Sequence, residues 1–267
     1  MMSPAESTPD ATHATSESMI RLHGVEKSFG EHKVLRGLDL EVAAGESLVV
    51  LGGSGSGKSV LLKHLVGLLQ PDVGRVEIDG VDLATLSRRA LVDFRRRFGM
   101  AFQEGALFDS MSVFDNIAFP LRRQRPKPSR AAVEERVAEC LSMVGLEGVG
   151  SKMPSELSGG MRRRVGFARA IAQKPKILLF DEPTTGLDPV MTAVIDEVIL
   201  GLGSQLRTTS VTITHDLKSA FRIADRIAML YRGTILAIEE PDDFKQLEDP
   251  RIRQFLEGRA EGPLGAT

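Results

Sequence analysis

The sequence predicts an α/β fold in which a mostly parallel sheet, an antiparallel β layer and a helical subdomain share one chain. Three observations predict it. Strand-length apolar runs at residues 47–51, 177–180 and 210–214 are separated by segments of helical period, the alternation that builds a parallel sheet. Turn-punctuated β-like runs at residues 20–22, 38–42 and 76–78 crowd the first third of the chain. Residues 113–172 read as predominantly helical.

With 267 residues, 42% of them apolar, the chain can bury one sizeable core, so a single domain with subdivisions is expected. Residues 1–18, rich in Ser, Thr, Ala and Pro, lack the apolar stretch of a signal peptide and read as a disordered tail. The folded domain is expected over 19–248, its helical subdomain over about 104–164, followed by a tail over 249–267 carrying a short interaction helix. A formal net charge of −2 gives no global basic field, so nucleic acid is not expected as a partner. Cys140 is the only cysteine, which excludes an internal disulfide or cysteine metal cluster and fits a reducing compartment. The longest apolar runs, 48–51 and 177–180, fall far short of the roughly 20 residues that cross a bilayer, so no membrane span is expected.

Along the chain, residues 47–51 form the expected central strand. Residues 58–69 follow as a helix with Leu61, Leu62, Leu65, Leu68 and Leu69 on one face. Residues 98–102 read as another strand, and Ser129 as the cap of a helix. The basic, proline-containing stretch 122–130 reads as a solvated loop. Residues 227–238 suggest a hairpin turning at Arg232-Gly233. Beyond Pro250, Ile252, Phe255 and Leu256 share one helix face with Arg251 and Arg253 opposite; a face of that kind is expected to pack on a partner, the alternative being that the helix folds back on its own subunit.

Gly52-Gly53-Ser54-Gly55-Ser56-Gly57-Lys58-Ser59 matches the phosphate-loop pattern and sits between a strand and a helix, the context that motif requires. Glycines let successive N–H groups converge on phosphate oxygens, Lys58 reaches the β and γ phosphates, and the Ser59 hydroxyl ligates Mg²⁺. Asp181 and Glu182 end the apolar run 177–180 at the carboxyl edge of the sheet, where ligands bind. Asp181 suits Mg²⁺, and Glu182 suits polarisation of an attacking water.

Leu157-Ser158-Gly159-Gly160-Met161 resembles the LSGGQ signature of the ATPase subunits of ABC transporters, with Met161 in place of glutamine. A serine and two glycines can also simply cap a helix. In ABC proteins this segment contacts the γ phosphate held by the other subunit, so the resemblance implies that Ser158, Gly159 and Gly160 bind nucleotide across a dimer. It also implies a Q-loop at Gln103, touching the metal and the reacting centre, a D-loop at Asp188, a switch histidine at His215, and adenine stacking by Phe29, where tyrosine is commoner in the family. Val60 belongs to the nucleotide-binding segment, though it replaces the family's usual threonine. Thr184-Thr185 is a second departure, and neither departure is expected to touch a residue with a direct chemical role. The implied fold is a P-loop NTPase core of the ABC type, and the implied cofactors are ATP and Mg²⁺.

Residues 102–121 and the tail 249–256 are similar to the maintenance-of-lipid-asymmetry (Mla) ATPases, which drive lipid transporters built around MCE proteins. That resemblance implies phospholipid transport between inner and outer membranes. It implies, as partners, a second copy arranged head to tail, integral membrane permease subunits, an MCE substrate-binding protein and a small STAS-like regulatory subunit. The location implied is the cytoplasmic face of the inner membrane, peripheral through the permease. It further implies that the terminal helix packs on the second ATPase subunit, and that Leu107, Phe108, Met111, Val113, Phe114, Ile117 and Phe119 form a partly exposed groove for a coupling helix. Alternatives are an ABC importer for amino acids or metal ions, and a soluble ABC ATPase of DNA repair, chromosome organisation or translation. Only about 100 residues separate the phosphate loop from the signature, with no heptad run, which speaks against the chromosome-type members.

Overall fold

The structure, a computed structural model, describes residues 18–103 and 105–264. The expected N-terminal tail therefore lies outside the described residues, apart from Ser18, as does Glu104. Strands β1 (Ser18–Phe29) and β2 (His32–Ala43) form a long antiparallel hairpin, with Ile20 opposite Val42 and Leu22 opposite Leu40. β3 (Ser47–Leu51) then enters the centre of a second sheet, and α1 (Lys58–Leu65) leaves it. β4 (Val73–Ile78) and β5 (Val81–Asp82) return to the first sheet, which reads β2-β1-β4-β5, antiparallel throughout.

After α2 (Arg88–Phe94), β6 (Phe98–Ala101) leads into the helical subdomain: α3 (Val113–Leu121), α4 (Arg130–Met143) and α5 (Gly159–Ile171). The chain goes back through β7 (Ile177–Asp181), α6 (Pro189–Leu206), β8 (Thr209–Thr214), α7 (Leu217–Ile223), and the hairpin β9 (Arg226–Tyr231) and β10 (Thr234–Glu239). Helices α8 (Pro241–Gln246) and α9 (Pro250–Glu257) close it. The second sheet has the order β10-β9-β3-β8-β7-β6, parallel except at the β9–β10 hairpin.

β3 shows why the central run is apolar at every position. Side chains alternate between faces, so Leu48 and Val50 join the core under the antiparallel layer with Leu22, Leu40 and Leu61. Val49 and Leu51 face the other core, with Val113, Ile117, Phe167 and Phe180. A strand buried on both sides reads as a continuous run. Phe167 of the helical subdomain meets Phe180 of the sheet edge to face, centroids 5.1 Å apart, which seats α5 on β7.

Two expectations change. α9 forms as expected, but its apolar face is partly covered by its own chain. Ile252 is buried in the core below it, and Phe255 and Leu256 pack against that core half-buried. The Ile252 part of this face is therefore taken by the chain's own core, while Phe255 and Leu256 keep exposed area at its edge. Second, α6 reaches, by length and composition, what a membrane span needs. It is instead seated by Ile195, Ile199 and Leu202, and by a buried Asp196 that accepts a 2.8 Å hydrogen bond from Ser219 Oγ.

Candidate nucleotide site

Four neighbouring parallel strands, β3, β8, β7 and β6, deliver their carboxyl ends to one edge, and the residues that follow them meet there. They line a cleft of about 740 Å³. Gly52, Ser54, Gly55, Ser56, Gly57, Lys58, Ser59 and Val60 come from the turn after β3. Gln103 follows β6, Asp181 and Glu182 end β7 and begin the next loop, and His215 follows β8. Of the phosphate-loop residues, Gly53 alone is absent from the lining; its carbonyl accepts from Lys58 instead.

Backbone approach explains the glycines. A Cβ on Gly52 would lie 2.5 Å from the Leu230 carbonyl oxygen, and Gly57 caps α1 at φ +111°, where other residues are strained. Lys58 Nζ lies back along the loop, donating to the Gly52 carbonyl at 2.6 Å and the Gly53 carbonyl at 3.0 Å. Burial pulls its ammonium below the ordinary lysine range, against the attraction of Glu182 and Asp181. Asp181 is pushed the other way, mainly by burial and then by Glu182.

Glu182 is the most constrained residue of the cleft. Its backbone adopts φ +50°, fixed by an N–H donated to the Ile213 carbonyl at 2.9 Å. Its carboxylate is 2.9 Å from His215 Nδ1, 4.0 Å from Lys58 Nζ, and accepts from Thr185 Oγ1 at 3.0 Å. Thr185 therefore corrects the expectation that the Thr184-Thr185 departure touches nothing chemical: its hydroxyl holds Glu182, and it lines the cleft. Arg163 was also missed. Its Nε donates to the Gln103 carbonyl at 2.6 Å, and its Nη2 to the Thr185 carbonyl. A basic residue five positions past a signature serine was the only sequence signal.

Three expected site groups lie elsewhere. Phe29 ends β1 half-exposed under Lys27, and His32 and Val34 line the cleft in its place. Asp188 caps α6, accepting from the N–H groups of Val190 and Met191 at 2.9 and 3.0 Å. Ser158, Gly159 and Gly160 open α5 outside the cleft, with the Ser158 hydroxyl accepting from the Met161 N–H at 3.3 Å.

No group of three or more His, Cys, Asp or Glu that could hold a metal exists among the described residues. The oxygens of Ser59, Asp181 and Gln103 around a phosphate loop suit a hard cation that takes its remaining ligands from phosphate and water.

Similarity to known proteins decides the family. The ABC transporter family profile matches residues 35–185. The chain belongs to the ABC transporter family. It is 43% identical over 248 residues, 93% of its length and 69% of the relative's, to the probable ribonucleotide transport ATP-binding protein mkl of Mycobacterium tuberculosis. It is 39% identical to the intermembrane phospholipid transport system ATP-binding protein MlaF of Haemophilus influenzae, covering 93% of this chain and 94% of MlaF. MlaF of Escherichia coli K12 is also 39% identical, with 92% and 91% covered. Among solved structures, a dimeric ATP-binding cassette in a post-hydrolysis state with ADP and Pi matches with TM-score 0.76 at 33% identity, covering 84% of this chain and 99% of that one. The protein cbiO1 of Clostridium perfringens, part of the ABC transporter complex cbiONQ, matches with TM-score 0.80 at 26% identity, covering 90% of this chain and 99% of that one. The chain is thus an ATP-hydrolysing subunit of the ABC type.

Beside the Q-loop, the apolar cluster divides. Val113 and Ile117 are buried, while Phe108 and Phe119 stack at 4.7 Å and line, with Phe102 and Met100, a surface groove of about 360 Å³.

Proposed function

We propose that this ABC subunit hydrolyses MgATP between two copies of itself to power phospholipid transport between membranes, in complex with permease subunits and an MCE protein. The observation that carries the cargo reading is the end-to-end similarity to MlaF, more than 90% of both chains. The similarity to mkl leaves about a third of that protein unmatched, and the cargo in its name, ribonucleotides, is the second reading.

In the proposed site, Lys58 moves from the loop carbonyls to the β and γ phosphates; Ser59, Asp181 and Gln103 would hold Mg²⁺, which would supply charge neutralisation at the phosphates. A water attacks the γ phosphorus, the bond to the ADP oxygen breaks, and Glu182 takes the water's proton. His215 orients Glu182, and Asp188 sits at the subunit boundary. Ser158, Gly159 and Gly160 come from the second copy, head to tail, where N–H groups at the start of α5 suit the γ phosphate. The chain lies on the cytoplasmic face of the inner membrane, and the aromatic groove by the Q-loop receives a permease helix. A small STAS-like subunit is the expected regulator.

Purification from membranes with identification of co-purifying subunits, then reconstitution into liposomes, tests this. The proposal expects a permease with an MCE protein and ATP-dependent movement of labelled phospholipid. Ribonucleotide-stimulated ATPase without lipid movement would replace it with the second reading.

A further inference from the structure

The contacts of α5 go beyond seating the helical subdomain. Arg163, Gly166 and Arg169 recur every three residues and so share one helix face. All three grip the segment after β6. Arg163 Nε donates to the Gln103 carbonyl at 2.6 Å, and Arg169 donates to the Gly105 and Ala106 carbonyls, both at 2.8 Å. Gly166 lets the two backbones touch, since a Cβ there would lie 2.9 Å from Gly105 Cα. The segment so held is the one whose Phe102 and Phe108 line the surface groove, and the Arg169 guanidinium lies 5.7 Å over Phe108. Arg163 alone of the three reaches further. Its Nη2 donates to the Thr185 carbonyl, and the Thr185 hydroxyl donates to Glu182 Oε2 at 3.0 Å.

We infer that Arg163 is a positioning residue for hydrolysis, which fixes the Glu182 carboxylate through Thr185 and ties it to the Q-loop segment. The inference rests on the assignment of Glu182 as the base. A guanidinium is suited to this because its donors form a rigid planar fork that can address two carbonyls on different elements at once. Arg163 is 7% exposed, so neither carbonyl can exchange it freely for water. Glu182 is held at a left-handed φ, a conformation that persists only when its surroundings over-determine it. Without Arg163, the loop carrying Thr185 loses its link to α5, and movement of the groove-lining segment no longer reaches the carboxylate.

The test uses the full chain with Arg163→Met, Arg163→Lys, Thr185→Val and the Arg163→Met/Thr185→Val double variant. For each, kcat and KM for ATP, direct affinity for a fluorescent ATP analogue, and Tm are measured. Arg163→Met should lower kcat by about tenfold or more, with analogue affinity within about twofold, because a positioning contact is expressed in turnover more than in ground-state binding. Arg163→Lys, able to reach one carbonyl, should recover part of kcat. Thr185→Val should lose kcat severalfold, and the double variant should lose little more than Arg163→Met alone, since residues acting in one chain are non-additive. Losses that multiply, or a kcat that falls only in step with Tm and analogue affinity, would overturn the inference. If Arg163→Met does not fold, Arg163→Lys is measured with and without Thr185→Val: a kcat reduced at unchanged Tm that Thr185→Val lowers little further supports the inference, and wild-type kcat in Arg163→Lys, or losses that multiply, overturns it. Glu182→Gln is assayed alongside, because wild-type turnover there removes the base assignment itself whatever Arg163 does.

Discussion

Replacing Ile252 by alanine asks whether α9 belongs to the core or to a partner. Ile252 is 1% exposed and joins the core cluster that includes Phe244 and Ile223. Removing the atoms beyond Cβ at such a site costs about 2–5 kcal/mol, the spread reflecting how far the surroundings collapse. α9 is a short helix near the end of the described chain, free to settle inward, so the lower part of that range applies, about 2–3 kcal/mol. In a chain of this size each kcal/mol shifts Tm by about 2–4 °C, which predicts a fall of about 4–12 °C. The assay is thermal unfolding without nucleotide, at a concentration where gel filtration shows a monomer. Dimer formation with ATP is measured separately in a Glu182→Gln background. An unchanged monomer Tm accompanied by a weakened dimer would refute the packing argument and restore the partner-facing helix.

Glu182→Gln should retain ATP binding and trap a closed dimer while turnover falls by at least about 10²-fold, the smaller end of general-base contributions; turnover within about twofold of wild type contradicts the role. Lys58→Ala should weaken ATP binding itself, because phosphate charge is left uncompensated, and an unchanged affinity in a direct titration would count against it. The Arg251 guanidinium holds the Asp249 carboxyl down at about 2, against 3.8 for an ordinary aspartate. A depressed folded value stabilises above the unfolded one, so the contribution of this cap to α9 is complete above about pH 4 and is lost as pH falls towards 2. Asp249→Asn should flatten that part of the acid stability curve, and an unaltered curve would show that the pair contributes nothing. Burial pushes the Cys140 thiol up to about 11, so at pH 8 a thiol reagent should label it only as fast as the helical subdomain opens; immediate labelling of the native protein would contradict its burial.

What the sequence made legible was what neighbours in the chain could decide. The phosphate loop is contiguous, and Gly57 answers to a local need, a φ of +111° at the start of α1. Gln103, Asp181 and His215 each end or follow an apolar run, and parallel pairing of β6, β7 and β8 then brings them to one edge without further information. Arg163 and Thr185 were opaque for the opposite reason. Arg163 matters because it meets a carbonyl 60 residues away, a distance only the packed helical subdomain sets. Phe29 precedes the tight β1–β2 turn, with Phe29 opposite His32 in register; its ring is half-exposed, and His32 and Val34 are the residues of this hairpin that line the cleft, a detail the sequence did not carry. α9 marks the limit of periodicity as an argument. Ile252, Phe255 and Leu256 show that a face of that helix is buried, and the same spacing would arise whether the cover came from its own core or from a second chain. What the folded chain adds is that Ile252 enters its own core while Phe255 and Leu256 stay half-buried, and that split depends on residues the tail does not contain.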